Sequence, residues 1–183
     1  FWEDPTNWLD RAPIMRTGYI KTPTLFMTGV LDIRTPMAQT EEMYIALKEA
    51  GVDTVLVRMN EEWHGTGRRK PTNWFRTYGY LSEWYEKYKA ANPNNIQVLL
   101  DLANTYGESG NWDKALSVTN ELLELDENND KALYNKAAIL ANRNELDEAK
   151  QLWQQIMANS EDAHIRSLSQ SALNKCACMC AYG

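Results

Sequence analysis

The first half of the chain alternates between strand-like and helix-like patterns of hydrophobic residues. Thr24–Gly29 is a short apolar run that follows a proline and ends at a glycine, which predicts a buried parallel strand. Apolar residues at helical spacing predict a helix over 37–50, and the β-branched run 53–59 predicts a second strand. The Gly-rich, charged stretch 60–72 reads as a loop, and the aromatic stretch 73–91 as a long helix. This order predicts a βαβ unit followed by one further helix.

The second half shows a helical pattern that repeats. Residues of the same type stand 34 positions apart, as in the pairs Leu99 and Leu133, Ala103 and Ala137, and Ala115 and Ala149. The alanines are small where two helices would cross closely, and the leucines fill the space between them. With its period of 34 residues, this half of the chain resembles the tetratricopeptide repeat. We therefore predict two repeats over 96–163 and a capping helix after them; a plain helical bundle is the alternative.

Together these patterns predict an α/β domain followed by an all-α tetratricopeptide-repeat solenoid. We place the α/β domain at residues 1–92, and two repeats with their capping helix at 93–175. Residues 176–183 form a Cys-rich tail that we expect to be disordered. We also expect the aromatic residues at the end of the long helix, among them Tyr85, to pack on the first repeat, because they occupy the positions of a preceding repeat helix.

Charge and composition narrow the classes of function. Residues 1–92 carry equal numbers of acidic and basic side chains, so the net charge of −6 lies entirely in 93–183. This balance argues against a nucleic-acid partner, because binding to phosphates needs a basic surface. No apolar run is long enough for a membrane span. The three cysteines, all in the tail, predict neither a disulfide framework nor a metal site, because three thiols lack a fourth ligand. We expect a soluble protein, with its compartment, cytoplasmic or periplasmic or secreted, left open.

Candidate chemistry lies just beyond the two predicted strands. Asp32 and Arg34 follow the first strand, and His64 follows the second. Since the carboxyl ends of parallel strands meet at one edge of a sheet, we expect these side chains to lie close together. An aspartate that orients a histidine general base is two thirds of a nucleophilic triad. Taken singly, the histidine could instead be a solvated loop residue and the aspartate a helix N-cap.

Longer motifs around these residues carry a specific resemblance. They are the segments 20–25 (Ile-Lys-Thr-Pro-Thr-Leu), 29–36 (Gly-Val-Leu-Asp-Ile-Arg-Thr-Pro), 63–65 (Trp-His-Gly) and 84–88 (Trp-Tyr-Glu-Lys-Tyr), with Gln39, Tyr44, Leu47 and Gly51 between them. With these motifs the chain resembles the C-terminal part of the catalytic domain of the prolyl oligopeptidase family of serine peptidases. The resemblance implies an α/β-hydrolase fold, a peptide substrate in the complete enzyme and no cofactor. It also implies Asp32 as the triad acid, His64 as the triad base and Arg34 as a support for the Asp32 turn.

The sequence departs from the family in one respect. The nucleophile of such enzymes sits in a G-x-S-x-G turn, which this sequence does not contain, and its seven serines all follow the histidine in helical or tail contexts. We therefore expect the chain alone to be inactive. It is then a piece of a longer hydrolase, which we favour, or it pairs with a second chain or packs differently. The alternative function is a non-enzymatic protein-interaction module in which the hydrolase part is a scaffold.

The predicted repeats offer a second candidate surface, on their concave face. We expect Asn104, Lys131, Tyr134 and Asn135 to contact a protein or peptide partner there. Some repeat proteins grip a terminal carboxylate with paired lysines and asparagines. We do not expect that grip here, because Leu100 stands where a lysine is needed.

Overall fold

The computed structural model describes residues 3–65, 67 and 70–180, with side chains as far as Cys176. The chain divides into two compact units, Phe1–Thr77 and Tyr78–Gly183. In chain order the elements are α1 (Thr6–Arg11), a 3₁₀-helix (Pro13–Tyr19), β1 (Thr24–Gly29), α2 (Met37–Glu49), β2 (Thr54–Met59), α3 (Pro71–Ala91), α4 (Ile96–Glu108), α5 (Trp112–Leu125), α6 (Asp130–Asn142), α7 (Leu146–Asn159) and α8 (Ala163–Cys180). This confirms the predicted fold class, a small parallel sheet with helices followed by a helical region.

The first unit is built on strands β1 and β2, which pair in parallel from Thr24 opposite Thr54 to Gly29 opposite Met59. Parallel pairing needs a crossover connection, and helix α2 supplies it. This helix packs on both strands, and its Leu47 is almost fully buried. Both strands therefore end at the same edge of the sheet, where Asp32 and His64 follow them.

Much apolar surface of the first unit faces solvent. Tyr19, Ile33 and Phe75 are each more than 60% exposed, and Ile45 is more than half exposed. Among the described residues the sheet has two strands, whereas parallel strands are normally covered on both faces by helices. The first unit thus exposes several large apolar side chains to solvent.

The second unit consists of helical pairs, and three of its helices have an asparagine as their N-cap. Side chains of Asn95, Asn111 and Asn129 each accept a hydrogen bond from the backbone N–H three residues on, so they cap α4, α5 and α6. Gly110 and Asn144 both adopt a positive φ, at equivalent places in the turns of the two repeats. Since the left-handed conformation ends a helix, these two residues set the hairpin turn of each repeat.

The core of the second unit includes the end of α3. Leu99, Leu102 and Leu122 have no exposed surface and lie in one apolar cluster, against which Tyr85 of α3 packs. The Tyr106 hydroxyl donates a hydrogen bond of 2.8 Å to Glu86 of the same helix. The last turns of α3 therefore pack on the first repeat, as the aromatic pattern predicts.

Some boundaries differ from the sequence-based ones. Helix α3 begins at Pro71, because proline suits a first turn in which backbone N–H groups have no partner. Helix α8 continues to Cys180 through the first five residues of the predicted tail, and Cys176 is buried in an apolar cluster formed with residues of α6, α7 and α8. Residues 181–183 of that tail lie outside the described residues. The compact units divide within α3, before the boundary at 92 that the sequence motifs indicate.

Candidate active site

Asp32 lies in the turn that follows β1, and its buried carboxylate is held by that turn. The Oδ1 atom accepts backbone N–H groups of Arg34 at 2.9 Å and Thr35 at 3.1 Å. The Oδ2 atom accepts the Thr35 hydroxyl at 2.7 Å. Short polar side chains often bond the backbone two or three residues on, which is why an aspartate stabilises a turn of this kind.

His64 lies in the loop after β2 and reaches the same carboxylate. Its Nδ1 atom is 3.0 Å from Asp32 Oδ2, and its side chain is 52% exposed against 6% for Asp32. An ionised carboxylate can only accept hydrogen bonds, so Nδ1 carries the proton and donates it to Oδ2. The other ring nitrogen, Nε2, then keeps its lone pair and makes no hydrogen bond within the described part of the chain. The fold thus brings Asp32 and His64 into direct contact at the edge of the sheet.

The electrostatics of Asp32 favour its charged form. Burial by itself raises the pKa of this carboxyl, but the hydrogen bonds from the Thr35 hydroxyl and backbone, from His64 and from the Arg34 backbone outweigh it. They hold the pKa well below its usual range, because each of them stabilises the anion. The site therefore favours the carboxylate form of Asp32, which is the form that accepts the His64 N–H.

The aspartate turn and the histidine loop are joined by backbone hydrogen bonds. The Leu31 N–H donates to the Glu62 carbonyl at 2.9 Å, and the Val30 N–H to the Met59 carbonyl at 3.1 Å. Gly29 makes this approach possible: a Cβ atom there would lie 2.4 Å from the carbonyl oxygens of both Glu62 and Trp63. The distance from Asp32 to His64 thus depends on a glycine at the end of β1.

A buried polar pair fixes the histidine loop from its other side. The Glu62 side chain is 1% exposed, and its Oε1 atom accepts a hydrogen bond of 2.8 Å from Asn73 in the first turn of α3. Lys70 pairs with Glu61 at the surface nearby. A buried carboxylate needs such partners, and here the partner comes from the next helix along the chain.

Arg34, expected to support the aspartate turn, contacts Asp32 with its backbone and not with its side chain. Its N–H is one of the two backbone donors to Asp32, while its guanidinium makes no hydrogen bond or ion pair with any described residue. The candidate site residues expected from sequence do not include Thr35, Gly29 or Glu62. Two of them carried a usable signal: a threonine three residues after a turn aspartate, and a glycine where a strand leads into that turn.

A second concavity lies on the repeats, as a groove of about 400 Å³. Asn104, Tyr134 and Asn135 line it, and the Asn135 amide donates to Asn104 Oδ1 at 2.7 Å, linking α6 to α4. Trp112, which the sequence reasoning did not assign here, also lines it. Lys131 is outside this lining. Its charge acts instead on Asp162, whose pKa is lowered first by the backbone N–H groups of Ile165 and His164 and to a smaller extent by His164 and Lys131.

Comparison with known proteins finds a family for each part of the chain. The model of the Prolyl oligopeptidase family matches residues 1–92, half of the chain. The chain belongs to this family. A second family model, that of the tetratricopeptide repeat, matches residues 108–172. The chain is thus a prolyl oligopeptidase family sequence joined to tetratricopeptide repeats, as its motifs and its 34-residue period predict.

Curated relatives of this prolyl oligopeptidase family member match its first half. An uncharacterized peptidase, YuxL of Bacillus subtilis (strain 168), is 33% identical over 88 residues, which are 48% of this chain and 13% of that protein. Acylamino-acid-releasing enzyme 1 of Oryza sativa subsp. japonica is 30% identical over 87 residues, 48% of this chain and 11% of that enzyme. The Arabidopsis thaliana acylamino-acid-releasing enzyme is 30% identical over 86 residues, 47% of this chain and 11% of that enzyme. The chain therefore spans between 11% and 13% of the length of these relatives.

Two further properties bear on the expected partners. None of the helices in the described residues combines the length and the apolar character that crossing a bilayer requires. In the same residues no three His, Cys, Asp or Glu side chains are grouped as metal ligands would be.

Proposed function

We propose that the first unit supplies the acid and the base of a serine peptidase of the prolyl oligopeptidase type. The single observation that carries this proposal is the 3.0 Å hydrogen bond between His64 Nδ1 and Asp32 Oδ2 at the carboxyl edge of the sheet. With Nδ1–H held by Asp32, the Nε2 lone pair takes the proton of a serine hydroxyl as its oxygen attacks a peptide carbonyl. The imidazolium then returns this proton to the leaving amine.

The nucleophile of this reaction comes from residues outside this sequence. All seven serines belong to the unit Tyr78–Gly183, in helices or at their ends, and none lies in a G-x-S-x-G turn. The exposed apolar surface of the first unit also fits an incomplete catalytic domain. The chain alone is therefore inactive, and the peptidase activity and its peptide substrate belong to the longer protein.

A fluorophosphonate probe, which reacts with activated serines, tests this proposal. We expect no labelling of the 183-residue chain and labelling of the longer protein that contains it. His64→Ala should abolish that labelling, whereas His164→Ala, which changes the other histidine of this sequence, should leave it intact. Equal labelling of the His64→Ala variant and the unchanged longer protein would refute the role of His64.

The repeats give a second proposed function, the binding of a protein or peptide. The supporting observation is the groove in which Asn104 and Asn135 present amide groups beside Tyr134 and Trp112, since amides can pair with a peptide backbone. A peptide can be selected for binding to the intact chain. If it binds in this groove, Tyr134→Ala should reduce its affinity by about tenfold or more, as loss of an aromatic anchor does. Asn174→Ala, at an exposed site on α8, should leave its affinity unchanged. A peptide that binds both variants alike would place its site elsewhere.

A scaffold without catalysis is the competing function for the same chain. Under it, the longer protein would bind its partner through the repeats and remain unlabelled by the fluorophosphonate. The two readouts together therefore distinguish an enzyme with a binding module from a binding protein.

A further inference from the structure

The hydroxyl of Thr35 contacts both members of the acid–base pair. It donates to Asp32 Oδ2 at 2.7 Å, the same oxygen that accepts His64 Nδ1–H at 3.0 Å. Its oxygen also lies 3.4 Å from Nδ1. Because the hydroxyl and the ring N–H both donate to Oδ2, the last distance is a packing contact. Within the described residues, these are the two side-chain donors to Asp32.

The two carboxylate oxygens are held by different kinds of donors. Oδ1 accepts two backbone N–H groups, which any residue at position 35 except proline would retain in part. Oδ2 depends on side chains alone. Without the hydroxyl, His64 is the one remaining side-chain donor to Oδ2 within the described residues, and water can donate to the lone pair that the hydroxyl leaves open.

A capping role does not account for this hydroxyl. Thr35 precedes Pro36, the N-cap of α2, which receives no side-chain capping bond. The Thr35 hydroxyl bonds the carboxylate instead of a free N–H of that helix. Its geometry is thus directed towards the acid–base pair and away from the helix that follows.

We propose that Thr35 is a positioning residue, whose hydroxyl aims Asp32 Oδ2 at His64 and thereby selects the imidazole tautomer with its proton on Nδ1. This inference rests on the proposed function, because that tautomer leaves Nε2 free to accept a serine proton. Thr35 acts on His64 through Asp32. Removing the Thr35 hydroxyl therefore changes which nitrogen of His64 is protonated, and this change is separate from any effect on the shape of the turn.

The tautomer can be measured in the chain as it exists. The 183-residue protein has two histidines, so ¹⁵N-imidazole NMR gives two ring spin systems, and His164→Gln assigns them. At a pH where His64 is neutral, we expect well-separated Nδ1 and Nε2 signals with Nδ1 protonated. Thr35→Val removes the hydroxyl while keeping the shape. We expect it to shift the tautomer ratio about tenfold towards Nε2–H, roughly what one net hydrogen bond can supply.

Matched variants separate a positioning role from a structural one. Thr35→Ser keeps the hydroxyl and should restore the ratio of the unchanged protein, and His164 should not respond to any variant. The backbone amides of Val30 and Leu31 report whether the two loops remain joined. If Thr35→Val does not fold, Thr35→Ala provides the same comparison at this exposed site.

The outcomes distinguish this inference from the function on which it rests. If Asp32→Asn changes the tautomer ratio and Thr35→Val does not, Thr35 has no positioning role and the acid–base pair stands. An unchanged ratio in Asp32→Asn would overturn the proposed pairing itself. A ratio altered alike in Thr35→Ser and Thr35→Val would also overturn the inference, because the hydroxyl would then not matter.

Discussion

Replacing Gly29 by alanine should separate the aspartate turn from the histidine loop. The added Cβ would lie 2.4 Å from two backbone carbonyl oxygens, those of Glu62 and Trp63, well inside van der Waals contact. Neither oxygen can turn away as a side chain could, so the loop itself has to move. Forcing extra volume into packed structure costs about 1–3 kcal/mol, and losing the Leu31 N–H to Glu62 hydrogen bond adds about 1 kcal/mol. We expect a local destabilisation of about 2–4 kcal/mol, the sum of these two costs.

Hydrogen exchange of the Leu31 amide measures this effect directly, because that N–H is the one bonded to the histidine loop. A loss of about 2 kcal/mol speeds exchange through local opening by roughly 30-fold. Gly18→Ala is the matched control: its Cβ would meet no atom within 4 Å, and it lies in the same unit. If Leu31 exchanges equally slowly in both variants, the close approach at Gly29 does not hold the two loops together.

Three further predictions concern charge and core packing. The pKa of Asp32 in the folded state lies below its unfolded value of about 3.9, so its ionisation stabilises the first unit fully above that pH and progressively less below it. Asp32→Asn should therefore reduce the loss of stability that the unchanged protein shows at acid pH. An equal loss in both proteins would contradict this. Tyr106→Phe removes the hydrogen bond to Glu86 and should lower the unfolding free energy of the second unit by about 1 kcal/mol in urea, whereas a neutral effect would mean that water replaces it. Leu122→Ala, at a fully buried site, should cost about 2–5 kcal/mol in the same assay, and a cost below about 1 kcal/mol would show that the cluster collapses around the gap.

The meeting of Asp32 and His64 could be predicted from sequence because it depends on topology. Two parallel strands bring the segments after them to one edge of the sheet, and the apolar run of β1 shows its bounds clearly. The repeats could be predicted because residues 34 positions apart occupy equivalent places in successive repeats and are therefore of similar type. In both cases the order and spacing of residues along the sequence were enough for the prediction.

The details that depend on contacts between distant segments could not be predicted. A glycine is needed at position 29 because a side chain there would have no space, and not because of its backbone angle. Only the folded structure shows this need, since the loop at Glu62 lies against Gly29. The pairing of Glu62 with Asn73 joins a loop to a helix that sequence spacing alone does not align. The effect of the Lys131 charge on Asp162 likewise joins residues about thirty positions apart, and the pattern of helix positions does not show it.

The turn at Asp32 also bears on how such sequences diverge. Within the described part of the chain its carboxylate has four donors, and three of them come from the two residues Arg34 and Thr35 of the turn itself. A copy of this domain that had lost its histidine would therefore still need the aspartate to shape the segment between β1 and α2. Under the proposed function we therefore expect diverged copies to keep Asp32 for the shape of this turn, and only those that still catalyse to keep His64 as well.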